Sequence, residues 1–119
     1  ITDTFVVRTD VLNSRNKDVK AVVKAWFDSI DFIRSNPSEA NSIMARNLGL
    51  PVEDFEAQVS TIKFLTYEEN INKFNRENPL NLYELTNKAI EIYSEDGILQ
   101  SQVSAENIVD SSVLNSLYN

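Results

Sequence analysis

The sequence has 119 residues, 18 acidic and 11 basic side chains, a net charge of -7, and neither cysteine nor histidine. These absences exclude a zinc finger, a disulfide framework and any nucleophilic triad with an imidazole base. The only glycines are Gly49 and Gly97, too few for a phosphate-cradling loop. The length and a 42% hydrophobic content predict one domain over residues 1–119, with enough apolar side chains for a core.

Charge and hydropathy also limit the partners that the chain is expected to have. No window forms a basic stripe, so nucleic acid is not an expected partner. No apolar run approaches the roughly 20 residues that span a bilayer, so direct membrane insertion is not expected. The chain begins at Ile1 without a signal peptide. This start favours a processed product or a piece of a longer protein.

The first predicted element is a strand at Phe5-Val6-Val7, where aromatic and β-branched residues follow one another. The stretch 62–65 is the only other strand candidate, so the first strand has no clear partner for its backbone groups. Three explanations remain. The strand pairs with a sheet upstream of Ile1, which we favour; it pairs with a second copy; or the chain is an all-helical bundle with an extended arm.

Helical periodicity begins at Asp18 and continues along most of the chain. Seven apolar residues share one face of the first predicted helix: Val19, Val22, Val23, Trp26, Phe27, Ile30 and Ile33. Asn36-Pro37 predicts the start of a second helix, and Gly49 predicts its left-handed end.

Three further helices are predicted between Pro51 and Gly97. The first follows Pro51 and carries Phe55, and the second opens with the capping box Thr66-Tyr67-Glu68-Glu69. The third has an apolar stripe from Leu82 to Tyr93. The tail, residues 104–119, is predicted as a weak helical or turn-rich segment.

The succession of these segments resembles the C-terminal part of a periplasmic-type solute-binding protein. The subgroup serves ABC importers for nitrate, sulfonates and taurine, or thiamine-pyrimidine precursors. The resemblance is carried in order by these pieces: Asp3-Thr4-Phe5-Val6-Val7-Arg8, Ala25-Trp26-Phe27-Asp28-Ser29-Ile30, Asn36-Pro37-Ser38-Glu39-Ala40, Leu48-Gly49-Leu50, Glu53-Asp54-Phe55, Lys63 to Asn70 with Phe74, and Gly97-Ile98-Leu99. Pro51 departs from the family, which often has a serine cap before the proline.

The resemblance implies an α/β fold, mostly helical here, with one strand followed by five or six helices. The chain would be the C-terminal fragment of a two-lobed protein whose N-terminal lobe portions are absent. It would bind a small solute reversibly, without enzymatic activity or cofactor, and its other partner would be the importer permease. The expected location is extracytoplasmic, in the periplasm or lipid-anchored at the outer face of a Gram-positive cell membrane. The alternative is a free-standing α-helical protein–protein interaction module.

The resemblance places Asp3 and Thr4 near the ligand cleft, and these are the predicted ligand-binding residues. No catalytic residue and no metal ligand is predicted. The carboxylate pairs Asp28/Asp31 and Glu68/Glu69 match a solvated helix face and a capping box better than acid–base or metal chemistry.

Three other side chains are interpreted structurally rather than functionally. Trp26 lies in the apolar stripe and is predicted to pack in the core. Arg8 and Arg46 are interpreted as surface groups rather than anion clamps. Self-association of the chain is expected if the strand and the apolar helix faces stay uncovered.

Overall fold

The computed structural model describes residues 3–118, in which every regular element is an α-helix. The helices are α1 (Thr9–Ser14), α2 (Asn16–Ser35), α3 (Pro37–Leu48), α4 (Val52–Val59), α5 (Tyr67–Phe74), α6 (Leu82–Glu95), α7 (Ala105–Ile108) and α8 (Ser112–Asn115). None of these helices is both long and apolar enough to cross a membrane.

The predicted α/β class is wrong, because the described part of the chain contains no strand. Residues 3–8 precede α1 without forming helix or strand, and residues 62–66 are also irregular. Aromatic and β-branched residues favour a strand only when a neighbouring strand pairs with it, and no such neighbour is present among residues 3–118. Of the three explanations, the helical chain with an N-terminal arm agrees with this architecture.

Contacts divide the chain into two compact units. The first contains the described residues up to Val23 together with those from Glu68 onwards, and the second is Lys24–Tyr67. The second unit is built on α3 and α4, which pack against each other. Ala40 and Ala45 on α3 are almost fully buried, and such small side chains let two helices approach closely.

The ends of α3 follow from local chemistry that the sequence predicts. Pro37 occupies the first turn, where its missing N–H leaves no hydrogen bond unmade. Gly49 has φ +69°, and its N–H donates to the Arg46 carbonyl at 3.2 Å. The Leu50 N–H donates to the Ala45 carbonyl at 3.0 Å, which completes a left-handed cap. Both predicted boundaries of this helix are confirmed.

The apolar stripe of α2 is only partly buried. Val19, Phe27 and Ile30 are 6%, 5% and 2% exposed. Val22 and Trp26, which share the predicted stripe, are 54% and 55% exposed. The prediction that Trp26 packs in the core is therefore wrong. Helical spacing places Trp26 on the apolar side of α2, but spacing alone does not determine how much of that side is covered.

In the first unit, α6 and α7 pack together, and the tail lies against α2. The Ala105 N–H donates to Asn87 Oδ1 at 3.3 Å, and Ala105 itself is fully buried. Lys20 Nζ on α2 donates to the Ser116 carbonyl just after α8. Leu114 and Leu117 are buried, so the predicted weak tail supplies core side chains to this unit.

Candidate functional site

The predicted ligand-binding residues, Asp3 and Thr4, lie at the start of the described chain. Both are exposed and belong to the irregular segment before α1. Neither of them lines the groove of the second unit described below. The role of Asp3 and Thr4 in binding stays a prediction.

Arg8 is held by a neighbouring carboxylate rather than left open for an anion. Its Nε and Nη2 donate to the two carboxylate oxygens of Asp10, each at 3.0 Å. This fork geometry is the preferred arrangement for an arginine–carboxylate pair. The Arg8 guanidinium also lowers the pKa of Asp10. An external anion would therefore have to displace Asp10.

The two carboxylate pairs lie on the exposed side of α2 and in the first turn of α5. Both oxygens of Asp28 accept from Lys24 Nζ at 2.8 Å, four residues earlier on the exposed side of α2. Glu68 and Glu69 lie in the first turn of α5, where negative charge is favoured by the helix dipole. Within residues 3–118, no three or more acidic side chains are grouped so that they could hold a metal ion.

The second unit contains an open apolar groove of about 410 Å³ beside the α3–α4 pair. Six apolar and two amide side chains line it: Met44, Asn47, Leu48, Phe55, Gln58, Val59, Ile62 and Phe64. No charged side chain belongs to this lining. The volume falls within the range of roughly 300–1,000 Å³ that is usual for ligand pockets.

An aromatic contact extends this surface beyond the groove. The rings of Trp26 and Phe64 meet edge to face, with centroids 6.4 Å apart. Leu48 and Ile62 are 64% and 56% exposed, and Trp26 is 55% exposed. We call these four residues, Trp26, Leu48, Ile62 and Phe64, the apolar patch of the second unit.

In the first unit, the polar groups of a buried asparagine at the start of α6 have hydrogen-bond partners. Asn81 is 2% exposed; its Oδ1 accepts from the Glu84 N–H at 3.0 Å, and its Nδ2 donates to the Asn78 carbonyl at 2.8 Å. This arrangement caps α6 and ties the preceding loop to it. Asn81 lies outside the predicted helices, and its capping role was not predicted. The spacing of Asn81 and Glu84 is that of a capping box and could have indicated it.

Arg76 lies beside the Asn81 cap and contacts two partners at once. Its guanidinium stands 3.8 Å from the centre of the Tyr83 ring, and its Nη1 lies 3.2 Å from Glu106 Oε1. A backbone hydrogen bond at Glu106 and the hydrogen bond from Arg76 lower the pKa of the Glu106 carboxyl. These contacts hold the loop, α6 and α7 together. We call Arg76, Asn81, Tyr83 and Glu106 the polar hub of the first unit.

Comparison with known proteins adds no relative to these observations. No protein-family model, no curated protein and no solved structure gives a significant match to the chain. A proposal about function therefore depends on the residues themselves, on the positions of the helix boundaries, and on the side chains that the two units leave exposed.

Proposed function

We propose that the chain is the C-terminal portion of an extracytoplasmic substrate-binding protein of an ABC importer. The solute would be nitrate, a sulfonate such as taurine, or a pyrimidine precursor of thiamine. The observation that carries the proposal is the ordered succession of segments along the chain. Several of them mark helix boundaries: α3 begins at Pro37, Gly49 follows it in the left-handed conformation, and α5 begins at Tyr67.

The exposed apolar side chains also support a role as part of a larger protein. Leu48, Ile62 and Trp26 in the second unit are each more than half exposed. In the first unit, Phe5 and Val6 are 62% and 84% exposed. Clusters of this kind normally mark surfaces that another protein segment covers.

The proposed mechanism is reversible binding without covalent chemistry. In periplasmic binding proteins, the two lobes close around the solute, and hinge residues absorb the motion. By the resemblance, Asp3 and Thr4 lie nearest to the solute, and the helices act as support. The permease of the importer would be the protein partner, and the protein would act outside the cytoplasm. The solute-selecting residues would lie mostly outside this chain.

Solute binding by the natural protein that contains this sequence tests the proposal. The protein, purified from its source, is heated in the presence of nitrate, taurine or 4-amino-2-methylpyrimidine derivatives, and binding is measured by calorimetry. One of these classes is expected to bind, and a solute at 100 times its Kd stabilises the folded state by about 2.7 kcal/mol. A protein that binds none of the three classes would contradict the proposal.

Two variants sharpen this test at the predicted binding residues. Asp3→Ala and Thr4→Ala are each expected to lower the affinity for the solute by about tenfold, because one lost polar contact costs about 1.4 kcal/mol. Ser38→Ala on α3, another exposed polar position, is the matched control and should leave the affinity unchanged. If the Asp3 and Thr4 variants bind the solute as tightly as the Ser38 control does, then Asp3 and Thr4 do not contact the solute. The importer proposal would still stand.

The interaction-module alternative is favoured by one observation, the all-helical architecture of residues 3–118. It makes a different prediction for the same protein. No small solute of the three classes would stabilise it, and it would be stable and monomeric without further polypeptide. The calorimetry above, combined with light scattering of the 119-residue chain, distinguishes the two functions.

A further inference from the structure

The apolar groove of the second unit is lined by the same pattern of side chains on α3 and on α4. In each helix, an apolar residue is followed three residues later by an amide and four residues later by a second apolar residue. These residues are Met44, Asn47 and Leu48 on α3, and Phe55, Gln58 and Val59 on α4. Residues three and four apart share one face of a helix, so both helices present apolar surface and one amide to the groove.

The chemistry of the lining determines which charge a ligand can carry. None of the lining side chains is charged. The side-chain amides of Asn47 and Gln58 have no hydrogen-bond partner within residues 3–118, so each can donate to a ligand and accept from it. A charged group in the groove would lose water without gaining an opposite charge. The lining is therefore complementary to a neutral molecule that is mostly apolar and has one polar group.

The size of the groove favours a small molecule over a protein partner. Its volume of about 410 Å³ lies within the usual range of ligand pockets. A stable protein interface involves roughly 20–30 residues on each side, far more than line this groove. Residues next to the lining in sequence, Arg46, Glu56 and Lys63, are charged and exposed. A second copy of the chain on this surface would therefore be held only weakly.

Aliphatic chains fit the lining better than aromatic rings do. Of the two aromatic residues in the lining, Phe55 is only 7% exposed, and the ring of Phe64 already packs edge to face against Trp26. Little aromatic surface is left on which a ligand ring could stack. The other apolar lining residues are not aromatic, and the flexible side chain of Met44 can adapt its shape to a hydrocarbon chain.

We propose that this groove binds a neutral molecule that has a hydrocarbon chain and a hydroxyl or amide group at one end. The chain would lie against Met44 and Val59, and the polar end would pair with the amide of Asn47 or Gln58. The inference does not depend on the importer function, because no residue of the groove lining was predicted to bind the solute. It concerns the 119-residue chain, in which the groove is open.

Titration of the 119-residue chain with neutral alcohols tests this site. Trp26 is the only tryptophan in the sequence and contacts Phe64 of the lining, so its fluorescence reports on the groove. We expect 1-hexanol, 1-octanol and 1-decanol each to cause a saturable change in emission. The Kd should fall by about two- to fourfold for each added methylene, because complete burial of one methylene changes an equilibrium constant by about fourfold.

Charged analogues of the same length test the preference for a neutral ligand. Decanoate and decylammonium should both bind about tenfold more weakly than 1-decanol, because the lining offers neither ion a partner of opposite charge. The comparison uses ions of both signs because the net charge of -7 would by itself favour the cation. Tighter binding of decylammonium than of 1-decanol would overturn the proposal.

Two lysine variants locate the binding site. Leu48→Lys places a charge in the lining and should weaken the binding of 1-decanol by about tenfold. Val52→Lys is the matched control, since Val52 is 39% exposed and outside the lining, and its affinity should be unchanged. Both positions are exposed, so the helices should stay folded in both variants, which circular dichroism checks.

Three results would contradict the groove as the binding site. One is the absence of a saturable emission change with any of the alcohols, and another is equal weakening in the Leu48 and Val52 variants. The third is an emission change that depends on protein concentration and accompanies a rise in light scattering. That result would assign the groove to a second copy of the chain.

Discussion

The apolar patch and the polar hub use their side chains in opposite ways. In the hub, Asn81 is buried with its amide satisfied on both sides, and Arg76 has an aromatic and an anionic partner. In the patch, Leu48 and Ile62 are more than half exposed, and no charge lines the adjacent groove. The hub therefore contributes to folding, whereas the patch is surface available to another molecule. Substitutions in the hub should therefore change the free energy of unfolding, and substitutions in the patch should change association with other molecules.

The largest loss of stability is expected at the one groove-lining side chain that is buried. Phe55 on α4 is 7% exposed, and Phe55→Ala should lower the free energy of unfolding by about 3 kcal/mol because it leaves a cavity. Urea unfolding followed by circular dichroism measures this change. Val52→Ala on the same helix is the control, since Val52 is 39% exposed and should cost far less. If both variants lose the same free energy of unfolding, then Phe55 is not part of the packed interior of the second unit.

The next largest loss of stability is expected in the polar hub. Asn81→Ala removes the cap of α6 and leaves the Glu84 N–H without its partner, which should cost about 2 kcal/mol. Asn81→Asp keeps the acceptor and should recover much of this loss. Asn107→Ala, at an exposed position of α7, is the matched control. An Asn81→Ala variant as stable as this control in urea would contradict the role of the hub.

Two glycines have a left-handed backbone conformation, one in each unit. Their replacement by alanine should lower the stability by similar amounts. Gly49 has φ +69° and Gly97 has φ +70°, and no atom lies within 4 Å of the position that an added Cβ would occupy. Alanine at either site should therefore cost about 1 kcal/mol, from backbone strain alone. Asparagine tolerates this conformation better, so Gly49→Asn and Gly97→Asn should cost less than the alanine variants. Thermal unfolding of the four variants provides the measurement.

The pH dependence of the hub should come from Glu106. Its folded-state pKa is below the ordinary 4.5, first because of a backbone hydrogen bond and then because of Arg76. The group therefore contributes stability above pH 4.5, and this contribution is lost as the pH falls through the lowered value. Arg76→Gln should raise the pKa of Glu106 in a carboxyl NMR titration. Arg8→Gln should raise the pKa of Asp10 instead, and a shift of Glu106 in that variant would contradict the assignment.

The smallest effect on stability is expected at the apolar patch. Leu48→Ser and Ile62→Ser alter exposed side chains, so each should change the free energy of unfolding by less than about 0.5 kcal/mol. The same variants should reduce concentration-dependent self-association in light scattering, because they remove exposed apolar surface. Val52→Ser, on α4 but outside the groove lining, is the control. If both patch variants self-associate to the same extent as the unmodified chain, then the patch does not mediate self-association.

Helix boundaries were the most predictable part of this protein, because their signals are local. The Pro37 start and the Gly49 end of α3 depend only on a missing N–H and on a positive φ. The helices beginning after Pro51 and at Tyr67 were predicted on similar grounds, and α4 and α5 occupy those places. The groove was not predicted, since it depends on how far α4 and the segment after it extend along α3.

Burial was less predictable, because helical spacing gives the direction of a side chain but not what lies opposite it. Val19 and Trp26 share one predicted stripe, yet the first is buried and the second is half exposed. Asn81 is the opposite case, since this polar residue just before α6 is only 2% exposed. The predicted binding role of Asp3 and Thr4 came from resemblance, and nothing in the fold tests it.

The sequence by itself determined the positions of several helix ends and excluded some kinds of site. A sequence without cysteine and histidine holds no disulfide framework, no Cys/His zinc finger and no imidazole base. Only the tertiary structure decided the fate of Phe5-Val6-Val7. A strand forms when a second strand satisfies its backbone, and that condition depends on distant residues rather than on the propensity of three neighbours.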